Sequence, residues 1–302
     1  MHQIIGLMVF NKKLPVLLNN IQMQTNFLYH EKRNPNDSKY VKLLLGLMLF
    51  WTLPVQISYF YVNKGLFYFS QKMYIIIVLM GFWYGSTIDL CLHTNYSALC
   101  LILKNRIKKI NQELAKIEVF FAEQQSKMVY DRLSIVGICK IRKLRKAYLY
   151  LGECRLQLNQ MFKIPLLFSI LALELYLLQN VFAVLDLIFT KYTDANKFKL
   201  NLFSIAWLVY SCFKLTCLCC VSGSLNTEID ETRHIVSKIY NEICSADARE
   251  EIEEFLYITS VLDSKFSPFG FFTVDYSLIR IVASKVTTYM VIVAQFTFFR
   301  SN

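Results

Sequence analysis

Apolar and polar stretches alternate along the chain on two length scales. Apolar runs occupy residues 43–61, 73–92, 162–188, 202–221 and 271–299. Each holds on the order of 20 residues, enough for a helix to cross the hydrocarbon of a bilayer. The links over 63–72 and 190–199 are short and polar, whereas residues 104–158 and 226–262 are long, polar and periodic. Ile107, Ile110, Leu114 and Ile117 recur at steps of three, four and three, and Ile141, Leu144, Tyr148 and Leu151 repeat those steps. Ile235, Ile239 and Ile243 form a similar stripe. Stripes of this period predict amphipathic helices packed on other helices, here below a membrane. Pro54 predicts a kink in the first span, and Ser267-Pro268-Phe269-Gly270 predicts a break ahead of the last one.

The pattern predicts an all-α, polytopic helical membrane protein with five spans and long cytoplasmic helices, forming a single domain over residues 1–302. Composition agrees. Hydrophobic residues make up 55% and charged residues 18%, and the mean hydropathy is +0.37. A soluble domain carries about a quarter charged residues. The apolar run over residues 4–10 is short and is interrupted by Asn11, Lys12 and Lys13, so it does not read as a signal peptide.

Charge sets the orientation. With the N-terminus inside, the inner segments 1–40, 104–160 and 224–270 hold 22 Lys and Arg residues, against 6 in the outer segments. That bias satisfies the positive-inside rule and places the C-terminus outside. It also accounts for the net charge of +11 without nucleic acid as a partner. The sequons Asn36-Asp37-Ser38 and Asn95-Tyr96-Ser97 then lie inside or at the membrane edge and are expected to stay unmodified.

The chemistry-bearing residues do not point to an enzyme. His2, His30, His93 and His234 are scattered, and Cys217, Cys219 and Cys220 lie in an apolar run without a nearby His. That arrangement favours packing over metal binding or catalysis, so neither a metal nor a cofactor is expected. Two polar residues stand out because they lie within spans. Glu174 falls inside the third, where a carboxylate requires a partner; it either lines a ligand pocket or pairs with a cation such as Lys214. Asp89, Asp186, Arg280 and Lys285 read as interfacial or salt-bridged residues. Gln295 falls in the charge-free run from Val286 to Phe299 and needs a neighbouring helix or an aqueous path.

The run Thr288-Tyr289, five apolar residues, Gln295-Phe296 resembles the C-terminal signature of insect gustatory receptors. Gly270-Phe271-Phe272, Asp275 and Leu278 are similar to that family's lead-in to its last helix. The resemblance implies a seven-span chemosensory protein of which this chain supplies the third to seventh spans. The first two would be missing, as in a fragment or a shortened paralogue.

It further implies a ligand-gated, non-selective cation channel in the plasma membrane of sensory dendrites, opened by a small-molecule tastant. Surrounded by membrane lipid, the chain would form homo- or hetero-tetramers with other gustatory receptors, and the last helix of each subunit would line a pore. Gln295 and Phe296 would form the constriction, with Thr288 and Tyr289 one to two turns back. An insect odorant receptor-like channel subunit is the nearest alternative. A G-protein-coupled receptor would place the N-terminus outside, against the charge bias.

Overall fold

A computed structural model describes residues 46, 72–125, 131–189, 195–242, 246–262 and 265–301. Every regular element among them is an α-helix. The helices are α1 (Lys72–Gln125), α2 (Asp131–Phe189), α3 (Ala195–Glu242), α4 (Ala246–Val261) and α5 (Tyr276–Ser301). Apart from residue 46, the predicted span over 43–61, with Pro54, lies outside the described residues, as do Asn36, Ile243 and Cys244.

Spans and polar helices are fused, which the hydropathy pattern did not predict. α2 has 59 residues and is about 90 Å long at the usual rise, far more than the ~30 Å of hydrocarbon in a bilayer. It joins the polar stripe from Ile141 to Leu151 to the third apolar run without interruption. α1 and α3 likewise continue from an apolar run into a polar one. A change from apolar to polar side chains is no reason for the backbone to leave the helix. Only Pro165 disturbs α2, at the cost of one backbone hydrogen bond. The predicted helical region over 226–262 is divided instead between the end of α3 and α4.

Three described helices are long and apolar enough to span a bilayer: Gly137–Leu185, Ser204–Glu242 and Tyr276–Phe296. The predicted span over 73–92 lies in the first part of α1.

The chain divides into two compact units. In the first, built from residues 99–163 and 221–273, the predicted stripes form the core. Ile107, Ile110, Leu114, Ile117, Ile141, Leu144, Tyr148 and Leu151 are all buried. Ile229, Ile239, Ile252 and Phe255 join them, and the rings of Tyr148 and Phe255 lie 5.5 Å apart. Gly152 lets α2 approach the end of α4, since a Cβ there would lie 2.4 Å from a methyl carbon of Leu262.

Most charge lies at the edge of this core, although Arg145 and Arg155 are buried. Glu113 binds Lys116 at 2.6 Å and Lys140 at 2.7 Å, Arg142 and Arg145 hold Glu251, and Lys238 lies 3.7 Å from Glu118. One polar bridge is buried: the Asn111 amide donates to the Glu228 carbonyl at 2.8 Å and accepts from the Thr232 hydroxyl at 2.6 Å.

The second unit is built from residues 72–98, 164–220 and 274–301. Leu166, Ile170, Leu173, Leu177, Trp207, Leu218 and Leu278 are buried, and Trp207 stacks edge-on with Tyr176 at 6.2 Å. Large apolar side chains also cover its outside: Phe168, Leu171, Leu175 and Phe182 on α2, and Tyr289, Ile292 and Phe296 on α5. An apolar exterior of this extent belongs to a lipid-facing or subunit-facing surface.

Candidate functional site

The last helix starts later than the hydropathy pattern predicts, at Tyr276 rather than residue 271. Asp275 sets the start: its side chain accepts the Ser277 backbone N–H at 2.8 Å, the bond of a helix N-cap. From there α5 runs to the end of the described chain.

At about 100° per residue, the side chains of α5 fall on two faces. Val286, Met290 and Val293 are half-buried and turned to the rest of the unit. Ile281, Lys285, Thr288, Tyr289, Ile292, Gln295 and Phe296 are exposed and fan out along one side of that stripe, from about 60° away at Tyr289 to about 180° at Gln295. All four residues of the predicted signature therefore share one face, and none is covered by its own chain. Phe296 is 73% exposed. The hydroxyls of Thr287 and Thr288 are already satisfied, each donating at 2.9 Å to the carbonyl four residues earlier. The Gln295 amide is exposed on this face, and away from water it requires a hydrogen-bond partner.

Glu174 finds a cation, but not the one anticipated. Lys214 is engaged elsewhere, and Glu174 pairs with Lys285 of α5 at 3.0 Å. Glu174 is the more buried partner and Lys285 the more exposed. This ion pair ties α2 to the helix that carries Gln295 and Phe296. Asp186 has a side chain outside the described set, and Arg280 is exposed.

Sequence reading missed a polar cluster inside the second unit. Asp89 of α1 receives hydrogen bonds from Lys214 of α3 and from the Ser169 hydroxyl of α2. Because that hydroxyl hydrogen is committed to Asp89, the Ser169 oxygen accepts from His93 Nε2, 2.6 Å away. His93 Nε2 also lies 3.5 Å from Asp89. With the imidazole hydrogen on Nε2, the neutral ring leaves Nδ1 as a bare acceptor, and Nδ1 is buried without a hydrogen-bond partner. The Ser97 hydroxyl one turn further along α1 is likewise buried and unpartnered. Asp89, read as interfacial or salt-bridged, and Lys214, read as a possible cation for Glu174, were visible singly in the sequence; their pairing with each other, and the part played by Ser169 and His93, were not.

The family model described as 7tm Chemosensory receptor matches residues 6–299. The chain belongs to the 7tm chemosensory receptor family. Gustatory receptor 68a of Drosophila melanogaster is 26% identical over 249 residues, covering 81% of this chain and 59% of that receptor. Gustatory and pheromone receptor 32a of the same organism is 33% identical over 91 residues, 30% of this chain and 19% of its own length. The chain spans about three fifths of the length of the gustatory receptors it matches over most of its sequence. Membership agrees with the resemblance carried by Thr288, Tyr289, Gln295 and Phe296, and the helices agree with a polytopic membrane protein of this family.

Proposed function

We propose that this chemosensory family member acts as a subunit of a ligand-gated, non-selective cation channel, with α5 of each subunit lining the pore. The carrying observation is the uncovered face of α5: a helix without charge from Val286 to Phe299 presents an exposed amide and an exposed ring side by side. Lipid alone leaves the Gln295 amide unsatisfied, whereas a water-filled axis between copies satisfies it. In a tetramer, four Gln295 amides solvate a passing cation, and four Phe296 rings close the path by excluding water. Thr288 and Tyr289 lie one to two turns back, towards the contacts between subunits. No carboxylate follows Gln295 on α5, so selectivity among cations is weak.

The channel is homo- or hetero-tetrameric with other gustatory receptors, sits in the plasma membrane of sensory dendrites and is opened by a small-molecule tastant. Its N-terminus and the polar helical regions 104–158 and 226–262 are cytoplasmic, and its C-terminus is extracellular, a reading that the Lys and Arg bias supports. Glu174, tied to Lys285, is positioned to report a ligand's arrival on α2 to the pore helix.

Expression in cells tests this reading through ligand-evoked currents. Replacing Gln295 by Ala or Phe296 by Ser is expected to shift the reversal potential under bi-ionic conditions. Currents identical to wild type in both variants would remove α5 from the pore.

A further inference from the structure

A short turn at Pro268–Phe271 has a geometry that packing within the chain does not explain. The Phe271 N–H donates to the Pro268 carbonyl at 3.2 Å, and the two residues between them both have positive φ, 54° at Phe269 and 78° at Gly270. These are the φ signs of a type I′ turn, in which Gly270 is at ease and Phe269 is not. A side chain in the left-handed region costs about 1–2 kcal/mol, and a bulky ring is rare there.

The turn is held firmly nevertheless. The Ser267 hydroxyl donates to the Phe272 carbonyl at 2.8 Å, and Phe266 and Pro268 are buried beneath it. The two aromatic rings at the tip point the other way: Phe269 is 53% and Phe271 74% exposed.

The surroundings of the tip are basic and aromatic. The Lys163 ammonium lies 5.1 Å from the centroid of the Phe269 ring, and Lys265 is exposed beside the turn. The run 265–274 contains one Lys and no acidic residue, with Asp263 before it and the helix-capping Asp275 after it. Phe271 lies five positions before Tyr276, the first residue of a candidate span. Fully extended, five residues reach at most about 18 Å. Lys163 itself is followed by a charge-free run over 164–173. Chain connectivity alone therefore keeps the tip close to where the membrane begins.

We propose that the Phe269–Phe271 turn is a membrane-interface anchor, seated in the phospholipid headgroup layer. Aromatic rings favour that layer because one edge meets acyl chains and the other meets water and headgroups. The Lys163 and Lys265 ammonium groups reach the lipid phosphates while their stems lie along apolar surface. The left-handed backbone at Phe269 turns its ring outward beside Lys163, and transfer of both rings out of water offsets the strain. Phosphate is common to zwitterionic and anionic phospholipids, so this seating holds whichever side of the membrane α5 starts from.

Tryptophan fluorescence of the full chain in lipid nanodiscs tests the proposal. Emission added by F271W, taken as the difference from wild type, is expected to be lost with phospholipids brominated high on their acyl chains and to resist aqueous iodide. Quenching by iodide would place the ring in water and overturn the anchor. Resistance to both quenchers would place it in a protein contact, such as a second copy, and would overturn it equally. F269W, on the same turn, gives an independent reading if F271W impairs incorporation into the disc.

Discussion

The two units of this chain solve the packing of helices in opposite ways. In the first, the stripe residues from Ile107 to Ile117 and from Ile141 to Leu151 are inside, and Glu113, Lys140, Arg142 and Lys238 are paired on or near the surface. In the second, Asp89, His93, Ser169 and Lys214 meet in the interior, while Phe168, Leu175, Phe182 and Phe296 face outward. Water rewards the first arrangement, because it removes apolar area from contact with solvent. Hydrocarbon gives no such reward, so the second unit is held by shape, by hydrogen bonds and by buried charge pairs, while its surface stays apolar. The contrast assigns a solvent to each unit without reference to hydropathy averages.

The contrast is broken most severely at Asp89 and Lys214. Removing either partner leaves a charge in the interior of the second unit without its counter-charge, which costs about 3–5 kcal/mol. D89N and K214M are each expected to lower the midpoint of detergent-induced unfolding sharply. The double variant D89N/K214M is expected to lose less than either single one. The same operation on the exposed Lys238–Glu118 pair, E118Q, is expected to cost about 0–1 kcal/mol, because water replaces the lost partner. Equal losses at the two sites would erase the distinction between the units.

A middle-sized effect belongs to the packed core of the first unit. G152A places a methyl group 2.4 Å from a Leu262 methyl and forces the end of α4 to move. Overpacking of this kind costs about 1–3 kcal/mol. Adding L262A is expected to recover much of the loss in the same unfolding assay. Failure to recover would mean that the close approach of α2 and α4 does not depend on this pair.

The smallest effect is one of pH. Hydrogen bonds from Lys116 and then from Lys140 hold the Glu113 carboxyl below its usual value of 4.5. A depressed folded value stabilises the protein above pH 4.5, and that contribution is lost as pH falls through the folded value. E113Q is therefore expected to lower stability slightly at neutral pH, to leave stability unchanged below the folded value, and so to flatten the acid limb of the profile. Because Glu113 and both lysines are solvated, high salt is expected to shrink the difference further.

Much of this organisation was legible in the sequence, because period and composition are local properties. The stripes at Ile107 and Ile141 indicated which helix faces are buried, and the carboxylate of Glu174 indicated either a ligand pocket or a cation partner. The choice of cation was not legible. Lys214 is a residue of the neighbouring span, yet Asp89, 125 positions away in sequence, holds it, and Glu174 turns to Lys285 instead. Ser169 joins from 80 positions beyond Asp89. Pairings across such separations depend on how helices rotate about their axes, which no local pattern encodes. The fusion of spans with polar helices was missed for another reason. Hydropathy reports the solvent of the side chains, whereas the backbone hydrogen-bond ladder is indifferent to it.

The central claim is that the uncovered face of α5 meets water rather than lipid. Thiol labelling of Q295C, with the native cysteines measured in wild type as background, tests it in the reconstituted chain. A charged, membrane-impermeant reagent is expected to modify Q295C and to leave M290C, on the half-buried face, unreacted. Modification of Q295C only by a lipid-soluble reagent would contradict the claim.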